Sequence, residues 1–341
     1  MDMKSIAFFN NKGGVGKTTL LCNLASYFAK FRQQRVLIVD ADPQSNSSAY
    51  LLEEQDLDEY YMKWESASLF AYYEPIARGK GFPSKPPLIT SSSRFGVDIL
   101  LGHPKFALRE DLLSKDWGEG LQGLERGLQT TFAFKHLLGQ VAPDYDYVFV
   151  DMGPSLGAIN RSILIGVDYF LTPMAADLFS QLAVENIITS LSSWKNELKM
   201  ALEMYVAKNG ERYQIDGQDV NWSAHFIGFV MQQYKTKAVR GERRPVRSYE
   251  TLLQRARPEL ERLEAHFGYG DFESAALGQI PSLYSLIPLS QLAHAPIFDL
   301  GTADGVVGAH FAAVDDTRGI YDGIATRLMQ RLGMAEGHAN G

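Results

Sequence analysis

The stretch Ser5-Ile6-Ala7-Phe8-Phe9-Asn10, running on into Asn11-Lys12-Gly13-Gly14-Val15-Gly16-Lys17-Thr18-Thr19, decides the fold. Its first six residues read as a short buried strand. The glycines that follow let the backbone turn tightly, so successive N–H groups point inward as a nest for phosphate oxygens. The pattern from Gly16 to Phe31 predicts a helix, whose positive N-terminal end adds to that nest. Lys17 can reach β- and γ-phosphates, and the Thr18 hydroxyl can ligate magnesium. The general phosphate-loop pattern places a glycine five residues before Gly16. Here that residue is Asn11, and a second lysine, Lys12, stands at the start of the loop. A plain glycine turn with an incidental lysine does not account for strand, loop and helix in register.

Outward from this unit, short apolar runs alternate with helical stretches. Strands are expected at Arg35 to Asp40, Tyr147 to Asp151, Asp168 to Pro173, His225 to Gln232 and Ala276 to Pro281, with a long helix from about Ser180 to Met204. Continuous apolar strands suggest a sheet buried on both faces. Their alternation with helices predicts an α/β fold, a doubly wound, mostly parallel sheet with helices on both faces. Strands for one site spread from residue 5 to about 281 argue for a single domain over 1–335. It would carry an insertion at about 53–95, a C-terminal helix at about 305–332 and a frayed tail at 336–341. The insertion opens with five acids in seven residues, Glu53 to Glu59, continues with Tyr60, Tyr61, Trp64, Tyr72 and Tyr73, and ends in a Pro-, Gly- and Ser-rich stretch. It reads as one or two short helices plus a loop, its aromatics as packing. Asn209 to Gln218 reads as a polar loop.

Composition narrows the class. The 341 residues carry a net charge of −7, which excludes a histone-like basic coat while leaving room for a local basic patch. One cysteine, Cys22, excludes a disulfide framework and any all-cysteine cluster within one chain. No signal-peptide core precedes the first strand and no run of about 18 apolar residues occurs, so a cytoplasmic protein is expected.

The string KGGVGKTT, Lys12 to Thr19, resembles the deviant phosphate-binding motif of the ParA/MinD/Soj ATPases. VDADPQSN (39–46), FVDMGPSLG (149–157), DYFLTPM (168–174) and IPSLYSLIPLSQLAHAPIFDL (280–300) resemble later segments of that family. The likeness runs from about residue 3 to 300 and is weakest over 53–95. It implies a phosphate-loop NTPase fold with ATP and Mg2+ as ligands. Transfer of a phosphoryl group to water needs the phosphates held, their charge neutralised and a water aimed in line. Lys17 and the amides of Gly13, Gly14, Val15, Gly16, Thr18 and Thr19 would hold the phosphates. Asp40 and Asp151 each end a strand at the edge where ligands bind. The resemblance implies that, with Thr18, they form the magnesium environment, and that Asp42 orients the attacking water. It also implies that Lys12 crosses a two-fold interface to the partner's nucleotide in an ATP-dependent sandwich homodimer. Pro281 and the end of the strand at Gln232 would lie near the adenine.

Between Tyr234 and Arg247 the segment YKTKAVRGERRPVR holds Lys235, Lys237, Arg240, Arg243, Arg244 and Arg247 against one acid, Glu242. Such clusters bind phosphate backbones without regard to sequence, so nonspecific DNA is the leading partner. An acidic protein partner and a solvated loop are the alternatives. Gly241 and Pro245 predict a loop leading into a helix from about Ser248. The family likeness further implies a ParB-like activating adaptor, cargo positioning and association with the nucleoid. Two other readings fit the same fold. A MinD-like membrane switch needs a terminal basic amphipathic helix, whereas the last helix carries Asp315, Asp316 and Asp322. A nucleotide switch acting on a protein partner without DNA uses the same site.

Overall fold

The computed structural model describes residues 2–63, 67–175, 179–234, 236–239, 242–245, 247–283 and 285–339; for 63, 179–181, 233–253 and 338–339 within these ranges the backbone alone is described. The strands are β1 (Lys4–Phe8), β2 (Val36–Asp40), β3 (Thr90–Ser92), β4 (Val97–Leu100), β5 (Tyr147–Asp151), β6 (Tyr169–Ala175), β7 (Gln214–Ile215), β8 (Gln218–Asp219), β9 (His225–Tyr234), β10 (Thr236–Val239), β11 (Glu242–Pro245) and β12 (Ala276–Pro281). The helices are α1 (Lys17–Arg32), α2 (Asn46–Leu51), α3 (Glu54–Lys63), α4 (Leu69–Tyr72), α5 (Glu74–Ala77), α6 (Glu110–Leu121), α7 (Glu125–Thr131), α8 (Ala133–Val141), α9 (Ala158–Gly166), α10 (Phe179–Asn209), α11 (Arg247–Phe267), α12 (Phe272–Ala275), α13 (Leu286–Leu292) and α14 (His310–Ala339).

Eight strands form one sheet in the order β12-β9-β6-β1-β5-β2-β4-β3. All pairings in it are parallel except β3 with β4. Successive side chains on a strand point to opposite faces, so each apolar strand feeds two cores. Ile6, Phe8, Ile38 and Phe149 pack with Leu24 and Phe28 of α1 and Leu328 of α14. Ala7, Val39, Val150 and Phe170 pack with Leu137 of α8, Ile163 of α9, Val184 of α10 and Leu260 of α11. Helices therefore cover both faces, as the unbroken apolar strands required. In the centre, Asp151 is in register with Phe8 of β1 on one side and Asp40 of β2 on the other. The strands' C-terminal ends thus meet at one edge.

Several expectations are corrected. Strand β4 was not anticipated, because Val97-Asp98-Ile99-Leu100 is short and sits directly behind a turn at Gly96, whose φ is +69°. The 53–95 segment holds three helices and also the edge strand β3, whose Ser92 hydroxyl bonds the Leu51 carbonyl at 2.8 Å. Tyr72 and Tyr73 are buried there as packing residues, and Trp64 lies outside the described residues. The polar 209–218 stretch contains part of a small hairpin, β7 with β8, rather than a loop alone. Helix α14 starts five residues later than expected because Gly305 and Gly308 adopt positive φ. It also runs past the expected end at 332 to Ala339; Leu332 and Ala335 are buried and Lys4 pairs with Glu336 at 2.5 Å.

Candidate functional site

The phosphate loop leaves β1 through Asn10, whose buried side chain is held at both ends. Its Nδ2 donates to the Pro173 carbonyl at 2.7 Å, and its Oδ1 accepts from the Lys12 N–H at 2.9 Å. This ties the start of the loop to the end of β6. Gly14 and Gly16 have φ of +72° and +77°, the left-handed region that side chains resist. At Gly16 space is short as well, because an added Cβ would lie 2.5 Å from Gln232 Oε1. Gln232 was singled out only as a strand end. It reaches across from β9 and donates to the Gly16 carbonyl at 3.1 Å, bracing the turn into α1.

Lys17, the first residue of α1, is 8% exposed, and its ammonium donates to the Lys12 carbonyl at 3.3 Å. Burial lowers its pKa, while the carboxylates of Asp151 and Asp42 draw it back up. Thr18 donates its hydroxyl proton to Asp151 Oδ2 at 2.8 Å, and Ser47 donates to the same oxygen at 2.5 Å. The neighbouring Ser48 serves the other carboxylate: its N–H and hydroxyl reach Asp40 Oδ2 at 2.8 and 2.6 Å. Two consecutive serines of α2 therefore hold the two strand-end carboxylates. Neither Asp40 Oδ1 nor Asp151 Oδ1 has a hydrogen-bond partner among the described residues, although both are buried. Burial raises the pKa of both groups, and the Asp151 charge raises Asp40 further.

These orphaned oxygens test the fit of a cation. Two buried carboxylates side by side with unsatisfied oxygens need positive charge or a proton. Thr18 gives its proton to Asp151 and retains lone pairs for a metal. The donor set is all oxygen, as Mg2+ prefers. Among the described residues no three acidic, His or Cys side chains form an all-protein metal cage. Mg2+ ordinarily keeps waters and substrate phosphates in its shell and does not need one. The residues present fit the ion.

Asp42 lies two residues past β2, 6% exposed, with Oδ1 accepting the Gln44 N–H at 2.9 Å. It lines a cleft of about 580 Å3 together with Gly13 to Thr19, Gln44, Asn46, Tyr50 and Pro154. That size suits a nucleotide-scale ligand. The far wall is Ile287 and Gln291 of α13, which the sequence did not single out individually. Tyr50 Oη bonds Ser290 Oγ at 2.5 Å, holding α13 to α2. Pro281 ends β12 opposite Tyr234 and is not among the cleft-lining residues. Lys12, half-buried at the head of the loop, is also outside that lining. Cys22 is buried beside Ser47, and burial pushes its thiol pKa up, as for a packing residue.

The structure thus brings together Lys17, Thr18, Asp40, Asp42 and Asp151. In the basic segment, Lys235 and Arg240 lie outside the described residues. Lys237 lies on β10, and Arg243 and Arg244 lie on β11 in register with Ala238 and Lys237. Arg247 opens α11. The side chains of these four lie outside the described residues. Where a loop was expected, the described residues form an antiparallel pair, Thr236–Val239 with Glu242–Pro245, and Pro245 comes at the end of the second strand, where a proline is tolerated.

Comparison with known proteins agrees with this geometry. A family model described as an AAA domain matches residues 3–204. The chain is 29% identical over 197 residues to the virulence plasmid ParA family protein pGP5-D of Chlamydia psittaci, covering 58% of this chain and 66% of that one. It is 27% identical over 202 residues to the chromosome-partitioning ATPase Soj of Thermus thermophilus, covering 59% and 67%. The match therefore spans about two thirds of the length of these relatives. Among solved structures, protein DIP2308 from Corynebacterium diphtheriae superposes with a TM-score of 0.70 at 30% identity, over 86% of this chain and 97% of that one. The ATP complex of a Cyanothece McdA variant superposes with a TM-score of 0.61 at 14% identity over 96% of each chain, a likeness of fold. With a phosphate loop built on Lys12 and Lys17 and its carboxylates at the ends of β2 and β5, the chain belongs to the ParA family of P-loop ATPases.

Proposed function

We propose that this chain binds ATP with Mg2+ in the cleft at the phosphate loop and hydrolyses it to ADP and phosphate, using ATP-dependent dimerisation to position DNA or another cargo. The observation that carries the reading is the convergence of Lys17, Thr18, Asp42 and Asp151 at one end of the sheet. In this reading Lys17 and the loop amides hold the phosphates. Thr18, Asp151 and Asp40 hold the magnesium environment, and Mg2+ when bound neutralises phosphate charge. Asp42, on the cleft wall, orients the water that attacks the γ-phosphorus as the bridging bond to ADP breaks. Lys12, at the head of the loop, reaches the nucleotide of a second copy.

The six basic residues from Lys235 to Arg247 make the hairpin and the start of α11 the DNA-binding element, without sequence specificity. A ParB-like adaptor stimulates hydrolysis and so releases the dimer from DNA. The protein then works in the cytoplasm on the nucleoid. The apolar residues Ile324, Leu328 and Leu332 of α14 are buried in the core, which supports DNA rather than a membrane as the surface used. Among the described residues no helix is long and apolar enough to cross a membrane.

The test is binding to random-sequence duplex DNA with ATP and Mg2+ across a salt series. About 4–6 phosphate contacts give a slope of log affinity against log salt of roughly −4 to −5. A variant with Lys235, Lys237, Arg240, Arg243, Arg244 and Arg247 all changed to Ala should lose this binding while keeping ATP binding. A slope near zero in the wild type would remove DNA from the reading.

A further inference from the structure

One wall of the cleft is the loop between β5 and α9, which carries Pro154 beside Gly13 and Gly153 beside Asp42. An ideal Cβ on Gly153 would lie 3.2 Å from Asp42 Oδ1, and one on Gly13 would lie 3.9 Å from Pro154. This loop has no sheet or helix ladder of its own, so its shape depends on side chains that reach back to it. Asn160, in the first turn of α9 and 1% exposed, does this. Its Nδ2 donates to the Gly153 carbonyl at 2.7 Å, to the Ser155 carbonyl at 2.7 Å and to Ser155 Oγ at 3.3 Å. One buried amide thus closes the loop onto the helix that follows it.

That helix is fixed in turn by Glu110, the first residue of α6. Glu110 Oε1 accepts the Ala158 N–H at 2.5 Å and Oε2 accepts the Ile159 N–H at 3.1 Å. The carboxylate satisfies two of the unpaired N–H groups at the start of α9 and sits at the positive end of its dipole. Gly157 leaves the space for it, because a Cβ there would lie 2.4 Å from Glu110 Oε1. Next to Glu110, Arg109 is ion-paired with Glu74 of α5 and stacks over the Phe70 ring of α4 at 4.1 Å. The residue that caps α9 is therefore anchored to the inserted helices.

We propose that Asn160 and Glu110 are positioning residues for ATP hydrolysis, holding the Gly153–Ser155 loop in place against Asp42 and the phosphate loop. The inference rests on the reading of this cleft as an ATP-hydrolysing site. Neither side chain lines the cleft, so each acts through the loop. Geometry at the attacking water is more sensitive to small displacements than is phosphate binding. Loosening the loop should therefore lower kcat and leave nucleotide affinity largely intact.

The experiment compares Glu110→Gln and Asn160→Ser with wild type in basal ATP turnover, in affinity for a fluorescent ATP analogue, and in Tm. Glu110→Gln keeps the shape and one acceptor, which guards against loss of folding. Thr130→Val serves as a control. It removes a buried 2.7 Å bond from α7 to Asp116, further along α6, and leaves the hydrogen bonds of Glu110 and Asn160 in place. The expected result is a fall of about tenfold in kcat for both variants, a change in nucleotide Kd below about threefold, and kcat near wild type in the control at a comparable loss of Tm. Unchanged kcat in a folded Glu110→Gln, or an equal fall in kcat in the control, overturns the positioning role. A wild-type protein that binds ATP without hydrolysing it overturns the reading of the site as well, which separates the two failures.

Discussion

Asp40 and Asp151 are lateral partners at the ends of adjacent parallel strands, both fully buried, and each has one oxygen without a hydrogen-bond partner among the described residues. Ser48 holds the other oxygen of Asp40, and Ser47 with Thr18 holds the other oxygen of Asp151. The pair stores electrostatic repulsion that a cation or a proton relieves.

That relationship has a pH signature. Burial raises both carboxyl pKa values above the ordinary range of about 4. The folded protein therefore retains protons that the unfolded chain has released. Their unfavourable effect is absent below about pH 4 and grows as pH rises towards the folded-state values. Asp40→Asn keeps the acceptor facing Ser48 and removes one charge. In the nucleotide-free protein at pH 8 its Tm should rise by about 2–5 °C, the shift expected for roughly 1–2 kcal/mol. Its decline in Tm between pH 5 and 8 should be shallower than that of wild type. Thermal melts across that range decide the point, and a lower Tm with the same slope contradicts it.

Lys17 is held in the cleft although burial disfavours its charge, so its role is expected to be direct. Lys17→Ala should weaken ATP binding about 10- to 100-fold, the loss of a charge-assisted hydrogen bond worth about 1.5–3 kcal/mol. Titration with a fluorescent nucleotide measures this. Affinity within twofold of wild type would place the phosphates elsewhere.

Asp42 predicts the opposite division. Asp42→Ala should lower kcat by about 100-fold or more, the range for removal of a group acting on the attacking water. Nucleotide affinity should stay within about threefold, since the loop amides and Lys17 remain. Single-turnover hydrolysis, read beside equilibrium binding, separates the two effects.

In the proposed reading Lys12, at the head of the loop, acts on the nucleotide of a second copy. Lys12→Ala should bind ATP as a monomer and fail to form the ATP-dependent dimer proposed for the wild type. Light scattering on a sizing column with ATP and Mg2+ checks this. A Lys12→Ala protein that dimerises and turns over like wild type would remove the trans role.

Much of the fold was legible because it rests on local rules. The run from Ser5 to Thr19 names strand, nest and helix from residue type alone. The strands ending in Asp40 and Asp151 are unbroken apolar runs that only a sheet covered on both faces can bury. What escaped was short or carried no pattern. The strand Val97–Leu100 has four residues beside a glycine turn, and the basic hairpin looked like a loop because Gly241 and Pro245 read as breakers. Gln232 was placed near the site only as the end of a strand, and the hydrogen bonds that Gln232, Glu110 and Asn160 make could not be read. Their partners lie 216, 48 and as few as five residues away, and no spacing rule links an amide to a carbonyl, or a carboxylate to a backbone N–H, across such intervals.

By itself, then, the sequence named the groups of this site: a glycine loop with two lysines, a threonine hydroxyl and three carboxylates near strand ends. Residue type and position relative to a strand's end suffice for that, since both are local properties. Tertiary structure alone decided which groups are satisfied and which are left wanting. The orphaned oxygens of Asp40 and Asp151, the serines that hold them, and the amide that closes the cleft wall depend on register between strands and on helix packing. Those are distances between segments far apart in the chain, set only when the sheet closes and buries them.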